Sequence, residues 1–124
     1  MDNDATSIHG GEVFVFTETI TVAQGHVDDV LEMTVKSAEL LRGQPGLLQY
    51  MVTKSEKSGR EICSTVVWEN KLDFQNFVKS DAVAALLKSG DMANIKSWMS
   101  DYKSAMSHYV PGWHPHKQAS GIHD

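Results

Sequence analysis

A single carboxylate interrupts an otherwise apolar strand face near the start of the chain. From residue 13 to residue 22, every second side chain is Phe14, Phe16, Glu18, Ile20 and Val22, and the positions between them are valine or threonine. Burying an ionised carboxylate without a partner costs several kcal/mol. Glu18 is therefore expected either to pair with a lysine or arginine at the sheet margin, or to be hydrated or neutral in a ligand pocket. In a pocket, its carboxyl group is suited to general acid or base catalysis.

Histidines near the C-terminus are the next candidates for chemistry. His108 lies beside the predicted last strand, and imidazole titrates near neutrality, which suits a proton acceptor. His114 and His116 follow it, but their spacing matches no recognised metal site, so no metal is expected. The lone cysteine, Cys63, is expected to be a small buried thiol rather than a nucleophile.

The alternation of hydrophobic residues predicts the elements that position these side chains. We expect strands at 13–22, 47–53, 61–69 and 107–110, and helices at 27–41, from Asn70 onward, at 81–87 and along an apolar stripe from 92 to 106. Asn70, followed three residues later by Asp73, predicts a helix cap. This order predicts an α+β, ferredoxin-like split βαβ domain with a four-stranded antiparallel sheet.

Composition excludes several classes of function. The 124 residues predict one domain at 12–110, between an N-terminal extension at 1–11 and a C-terminal tail at 111–124. A net charge of -5, with lysines scattered singly, gives no basic patch for nucleic acid or a membrane surface. Without a glycine-rich phosphate loop, no nucleotide or flavin cofactor is expected. The single cysteine suits a reducing compartment, so a cytoplasmic location is predicted.

Several short motifs together resemble the antibiotic biosynthesis monooxygenase family. They are Gly25, the run PGLLQY at 45–50, the run WENKLDF at 68–74, and Ser80-Asp81, and the resemblance covers roughly residues 12 to 110. It implies a homodimeric α+β barrel, in which the valine and threonine side of the first strand lines the barrel. It also implies a pocket for a small aromatic molecule under the helices of each subunit, with oxygen chemistry that needs no cofactor.

The resemblance also assigns roles to individual residues. In the anthrone-oxidising members a tryptophan on the third strand is matched here by Trp68, while two asparagine positions are occupied by Ser64 and Glu18. The base or polar anchor is then Glu18, and Trp68 and Ser64 position the substrate and a developing oxyanion. The substrate-binding residues are predicted to be Phe14, Phe16, Tyr50, Phe77 and Leu87.

Other activities remain open at this stage. In the haem-degrading branch, the residues that contact haem are replaced here by Glu18, Phe77 and Leu87, which predicts no haem degradation. A cyclase or isomerase using Glu18 and His108 in the same pocket is one alternative. A non-catalytic ligand-binding or dimerisation module, in which Glu18 is salt-bridged and Trp68 is only a wedge between sheet and helix, is the other.

Overall fold

The computed structural model describes residues 12–110 and contains one antiparallel sheet with helices packed against it. Three α-helices lie between β3 and β4, and one α-helix followed by a short 3-10 turn lies between β1 and β2. The elements are β1 (Phe14–Val22), α1 (Val27–Ser37), a 3-10 turn (Ala38–Leu41), β2 (Leu47–Lys54), β3 (Glu61–Trp68), α2 (Lys71–Val78), α3 (Asp81–Leu87), α4 (Gly90–Trp98) and β4 (Met99–His108).

The sheet has the strand order β2-β3-β1-β4, which is the ferredoxin-like order predicted from the sequence. β1 is central and pairs antiparallel with both β3 and β4. The register places Glu18 opposite Ser64 on one side and opposite Ser104 on the other. Since directly opposite residues point to the same face, these three side chains share one face of the sheet.

All buried side chains of the sheet lie on the face that the helices cover. They form two groups at opposite ends of the strands. The aromatic cluster consists of Phe14, Leu41, Val66, Trp68 and Phe74, with Phe16, Leu47, Tyr50 and Phe77 at its margin. The aliphatic cluster consists of Val22, Val30, Ile62 and Ile95, with Ile20, Val27, Leu31, Met33, Val52 and Trp98 at its margin.

The predicted helical stripe from 92 to 106 is confirmed only as far as Trp98, and the last strand, predicted at 107–110, begins earlier, at Met99. Helix α4 ends at Trp98, and a ten-residue strand, β4, begins at Met99. Met99, Tyr102 and Met106 have helix-like spacing, but each pairs with a residue of β1 instead. The backbone of Ala23 also donates to the Trp98 carbonyl at 2.7 Å, which fixes the chain where the strand starts. Pairing with a distant strand overrides the local period here.

Capping side chains fix where the later helices begin. The backbone N–H of Asp73 donates to Asn70 Oδ1 at 2.9 Å, so the predicted cap is confirmed. Ser80 and Ser89 accept the corresponding bonds at the starts of α3 and α4. Within residues 12–110, no helix has the length and apolar character needed to cross a membrane.

One glycine ties the hairpin to the start of α2. Gly46 has a φ of 83°, in the region that favours glycine, and its carbonyl accepts a hydrogen bond from the Glu69 backbone at 2.7 Å. A Cβ at this position would collide with the side chain of Asp73. The Pro45-Gly46 turn therefore needs glycine for both its backbone conformation and its close approach to the helix.

Candidate functional site

A band of polar side chains crosses the helix-covered face between the two apolar clusters. Its residues come from all four strands, and we refer to them as the polar band: Glu18, Tyr50, Ser64, Tyr102 and Ser104. The row through Glu18 contains Ser64 and Ser104 directly opposite it. The two tyrosines come from neighbouring rows on either side, because Tyr50 pairs with Val66 and Tyr102 pairs with Ile20.

Within the band, a short hydrogen bond joins Tyr102 to Glu18. The Tyr102 hydroxyl donates to Glu18 Oε2 at 2.6 Å, a length typical of a hydrogen bond to a charged oxygen. Glu18 is half-buried, while Tyr102 is 44% exposed. Among the described residues no salt bridge to Glu18 is found, so its partner here is a hydroxyl rather than a cation at the sheet margin.

The tyrosines of the band respond to burial and to the Glu18 carboxylate. Burial raises the pKa of Tyr102 to about 12, and the hydrogen bond and charge of Glu18 act in the same direction, while Ser104 lowers it. Burial also raises the pKa of Tyr50, the hydrogen-bonding hydroxyl of Ser64 lowers it, and the Glu18 charge raises it. The band is therefore a connected group in which the carboxylate is surrounded by protonated hydroxyls at neutral pH.

Trp68 is packed inside the aromatic cluster. It is 1% exposed, and its ring lies 6.3 Å from that of Phe74 and 5.4 Å from that of Phe77. Its indole Nε1 is buried, and no acceptor for it is found within the part of the chain that the structure describes. A buried donor without a partner is uncommon, because it loses its bond to water on folding. Trp68 is thus a wedge between sheet and helix whose N–H has no acceptor among the described residues.

Of the remaining predicted site residues, some lie in or beside the aromatic cluster and one lies away from it. Phe14 and Phe16 contact Phe74, with ring centroids 5.0 Å and 4.9 Å apart. Phe77 borders the same cluster, whereas Leu87, at the end of α3, is 55% exposed and belongs to neither cluster.

His108 lies on the helix-covered face but not beside Glu18. Its ring meets Phe14 edge-on at 5.4 Å, and its Nδ1 lies 3.7 Å from Glu12 Oε1. Because His108 is four residues beyond Ser104 on β4, it is about 13 Å from the Glu18 row. The two residues are therefore not brought together as an acid and base pair. His114 and His116 lie outside the described residues, and no metal-binding cluster is found within 12–110.

Tyr102 is the functional candidate that sequence reasoning missed. Its spacing from Met99 and Met106 suggested a helix, whereas β4 places it one step from Glu18 on the neighbouring strand. The signal that would have found it is the central position of β1, which requires partner strands on both sides. Had a strand been assigned from Met99 onward, antiparallel pairing would have placed Tyr102 near Glu18.

A cavity of about 330 Å³ lies among the helices rather than at the polar band. Side chains of α1, α3 and α4 line it, together with Leu40 of the 3-10 turn, and Lys36 and Asp91 stand at its edge 3.4 Å apart. No residue of the sheet lines this cavity. The band itself is a half-buried surface between two clusters, open enough to leave Tyr102 exposed.

Comparisons with known proteins agree with this architecture. A crystal structure of a protein from Shewanella oneidensis aligns with a TM-score of 0.68 at 11% identity, covering 80% of this chain and 92% of that one. SnoaB, a cofactor-independent oxygenase from Streptomyces nogalater, aligns with a TM-score of 0.67 at 12% identity, covering 84% and 98%. A protein of Pseudomonas aeruginosa aligns with a TM-score of 0.67 at 15% identity, covering 82% and 98%. At these identities the alignments show the shared fold.

The sequence itself carries a family match. No curated protein sequence matches this chain. The model of one family, described as antibiotic biosynthesis monooxygenase, matches residues 13–89, more than half of the chain. That range runs from β1 through α3 and includes Glu18, Ser64 and Trp68. The chain therefore belongs to the antibiotic biosynthesis monooxygenase family.

Proposed function

We propose that the protein is a cofactor-independent monooxygenase that acts, as a homodimer, on an aromatic, polyketide or quinol-like small molecule. Family membership supports the reaction class. The observation that carries the proposal is the Glu18 carboxylate, held at 2.6 Å by Tyr102 between an aromatic and an aliphatic cluster. A carboxylate beside flat apolar surfaces supports this proposal, because such a group can act as a base on a ring carrying an acidic hydrogen.

In the proposed reaction Glu18 removes a proton from an electron-rich anthrone or phenol. The resulting carbanion or phenolate transfers an electron to O₂, and the two radicals combine at carbon to form a carbon–oxygen bond. Protonation gives a hydroperoxide, which loses water to leave a ketone or quinone. A CH₂ group and O₂ thus become a C=O group and H₂O, so no external reductant is needed.

The surrounding groups have separate roles in this reaction. Tyr102 keeps Glu18 oriented through its hydrogen bond and leaves the other carboxylate oxygen to meet the substrate. Ser64, directly opposite Glu18, can donate to an oxygen on the substrate. Trp68 is four residues beyond Ser64 on β3, about 13 Å from the Glu18 row. The role proposed for its Nε1, which has no acceptor among residues 12–110, is to donate to an oxygen at the far end of a ring system that extends over the aromatic cluster, since a donor already in place needs no reorganisation.

The homodimer is proposed from the face of the sheet that the helices leave uncovered. That face carries the odd residues of β1, including Val15 and Thr19, and the half-buried Cys63 opposite Thr19. The buried sheet residues all lie on the other face. A second copy covering this apolar and hydroxyl-rich surface would complete the barrel that the family resemblance implies. The free thiol of Cys63 also supports a cytoplasmic location.

Oxygen consumption tests the catalytic proposal. We expect purified protein to consume O₂ with a panel of anthrones and hydroquinones, and Glu18→Gln to lower the rate by about 100-fold or more, because general bases contribute 10²–10⁴-fold. Glu56→Gln, the same change in the exposed β2–β3 turn, serves as the matched control and should keep the full rate. Uptake at background level across the panel, or full activity in Glu18→Gln, would contradict the proposal.

Sedimentation tests the dimer. At micromolar concentration we expect twice the mass of the chain, and Thr19→Arg, at the centre of the uncovered face, should give a monomer because it inserts an unpaired cation into the interface. Gln75→Arg on the exposed side of α2 is the control and should remain dimeric. A wild-type monomer under these conditions would disprove the homodimer.

A further inference from the structure

The polar band carries negative charge and no positive charge. It contains one carboxylate and four hydroxyl groups, with no lysine or arginine among its members. The basic side chains on the same face are distant from Glu18. Lys54, at the exposed edge on β2, is two strands and two residues away, roughly 12 Å. His108 is about 13 Å away along β4 and lies against Glu12.

Among the described residues, no ion pair joins a lysine or arginine of the helices to Glu18. The side chains of Lys71, Lys79, Lys88 and Lys96 are exposed. Lys36 of α1 lies 3.4 Å from Asp91 of α4, at the edge of the helical cavity. Arg42 lies 3.0 Å from Glu39 beyond the end of α1. Each of these cations therefore already has a carboxylate partner. The charge that a ligand meets in the band is the negative charge of Glu18.

The hydrogen-bonding capacity of the band is equally specific. Tyr102 donates to Oε2 of Glu18, whereas no described residue donates to Oε1. A carboxylate can only accept hydrogen bonds, so Oε1 calls for a donor. Tyr50, Ser64 and Ser104 carry hydroxyls, which adapt as donors or acceptors. A ligand with an O–H group can donate a hydrogen bond to Oε1 of Glu18, whereas a ligand carboxylate brings a second negative charge close to it.

We infer that the polar band selects uncharged ring compounds that bear a hydroxyl, such as phenols and hydroquinols, and rejects carboxylates of the same shape, with Glu18 as the selecting residue. This rests on the proposed function in that it narrows the substrate class of the same site. Two charges about 4 Å apart near a protein surface repel strongly enough to weaken binding by tenfold or more. For a phenol, the selected hydroxyl is also the group whose proton Glu18 accepts.

Binding of 2-naphthol and 2-naphthoate under argon tests the inference without turnover. The two probes share one ring system, and at neutral pH the first is uncharged while the second is an anion. We expect the wild-type protein to bind naphthol at least tenfold more tightly, measured by calorimetry. Glu18→Gln should reduce the difference to about threefold or less, chiefly by improving naphthoate binding. Glu56→Gln, the exposed control, should leave the ratio unchanged.

A second measurement needs no variant at Glu18. Added salt screens charge repulsion, so naphthoate binding to the wild-type protein should strengthen with ionic strength while naphthol binding stays constant. Equal affinity for the two probes, binding of neither, or naphthoate binding that salt leaves unchanged would overturn the inference. Selection without oxygen uptake would refute the proposed oxygenase while keeping the selective site. Oxygen uptake without selection would refute only the inference.

Discussion

The aromatic cluster and the aliphatic cluster cover opposite ends of the same sheet face, yet they differ in what they offer a ligand. The aliphatic cluster is built from valine and isoleucine, which bury apolar area and carry no polar atom. The aromatic cluster is built mainly from flat rings and contains the buried Nε1 of Trp68, for which residues 12–110 provide no acceptor. The difference indicates that the aliphatic end mainly holds the fold together, whereas the aromatic end has partly buried rings at its margin, Phe16, Tyr50 and Phe77, beside the polar band.

The polar band lies where these two clusters meet. Its tyrosines come from opposite sides, because Tyr50 belongs to the aromatic margin and Tyr102 lies in the row of Ile20 and Ile62. Both are influenced by Glu18, which occupies the row between them. A ring bound at the band would therefore contact the aromatic cluster with its face and the carboxylate with its edge. Paired substitutions, one at each end, test this division.

The largest expected difference in oxygen consumption is between two matched tryptophan substitutions, one at each cluster. Trp68→Phe keeps an aromatic ring but removes the N–H, and we expect the rate of oxygen consumption to fall by about 100-fold, as for the loss of an oxyanion donor. Trp98→Phe is the matched change in the aliphatic cluster, where Trp98 stacks on His26 at 4.5 Å, and it should leave the rate within about twofold of wild type. Circular dichroism would check that both variants are folded. Equal losses in the two variants would remove the functional distinction between the clusters.

A smaller effect, on the free energy of unfolding, is expected from alanine substitutions at two glycines, one near each cluster. Gly46→Ala forces a left-handed backbone conformation, with a φ of 83°, and a collision with Asp73. Gly25→Ala, with a φ of 94°, meets nothing within 4 Å. The conformational cost alone is about 1–2 kcal/mol of unfolding free energy, so Gly25→Ala should lose about that much and Gly46→Ala clearly more.

Urea unfolding of both glycine variants would measure these losses. If Gly46→Ala is no less stable than Gly25→Ala, Asp73 moves aside at little cost. In that case the contact between the hairpin turn and α2 does not stabilise the aromatic end.

Local sequence signals predicted the central strand, the hairpin and the start of α2, because each is marked within a few residues. Alternation from 13 to 22 placed Glu18 on the helix-covered side, where its neighbours Phe14 and Val22 are indeed buried. Asn70 and Asp73 marked their helix cap directly. In these cases the side-chain pattern and the final environment depend on the same short segment.

The partner of Glu18 could not be predicted in the same way. Tyr102 is 84 residues away in sequence, and the contact depends on the pairing of β4 with β1. β4 is an edge strand whose residues from 101 to 108 are exposed, so it lacks the apolar alternation that identified β1. The lack of an acceptor for Trp68 Nε1 within the described residues could not be predicted either, because it depends on which groups surround the ring after folding.

The smallest expected effect is a change in the pKa of Tyr102, which is hydrogen-bonded to Glu18 between the two clusters. Burial raises its pKa from 10.0 to about 12, with Glu18 contributing by hydrogen bond and charge. Glu18→Gln removes that charge, so the pKa should fall but stay above 10.0, because burial, the largest cause, remains. Ultraviolet absorbance of tyrosinate would follow the change, Tyr102→Phe would assign the transition, and Glu56→Gln would serve as the control.

Since the folded-state pKa of Tyr102 is higher than its unfolded value, the protonated hydroxyl stabilises the fold fully below pH 10.0, and this contribution is lost as pH rises toward about 12. A Tyr102 transition that does not move in Glu18→Gln would show that the two side chains are uncoupled in solution, and the band would then lack its central contact.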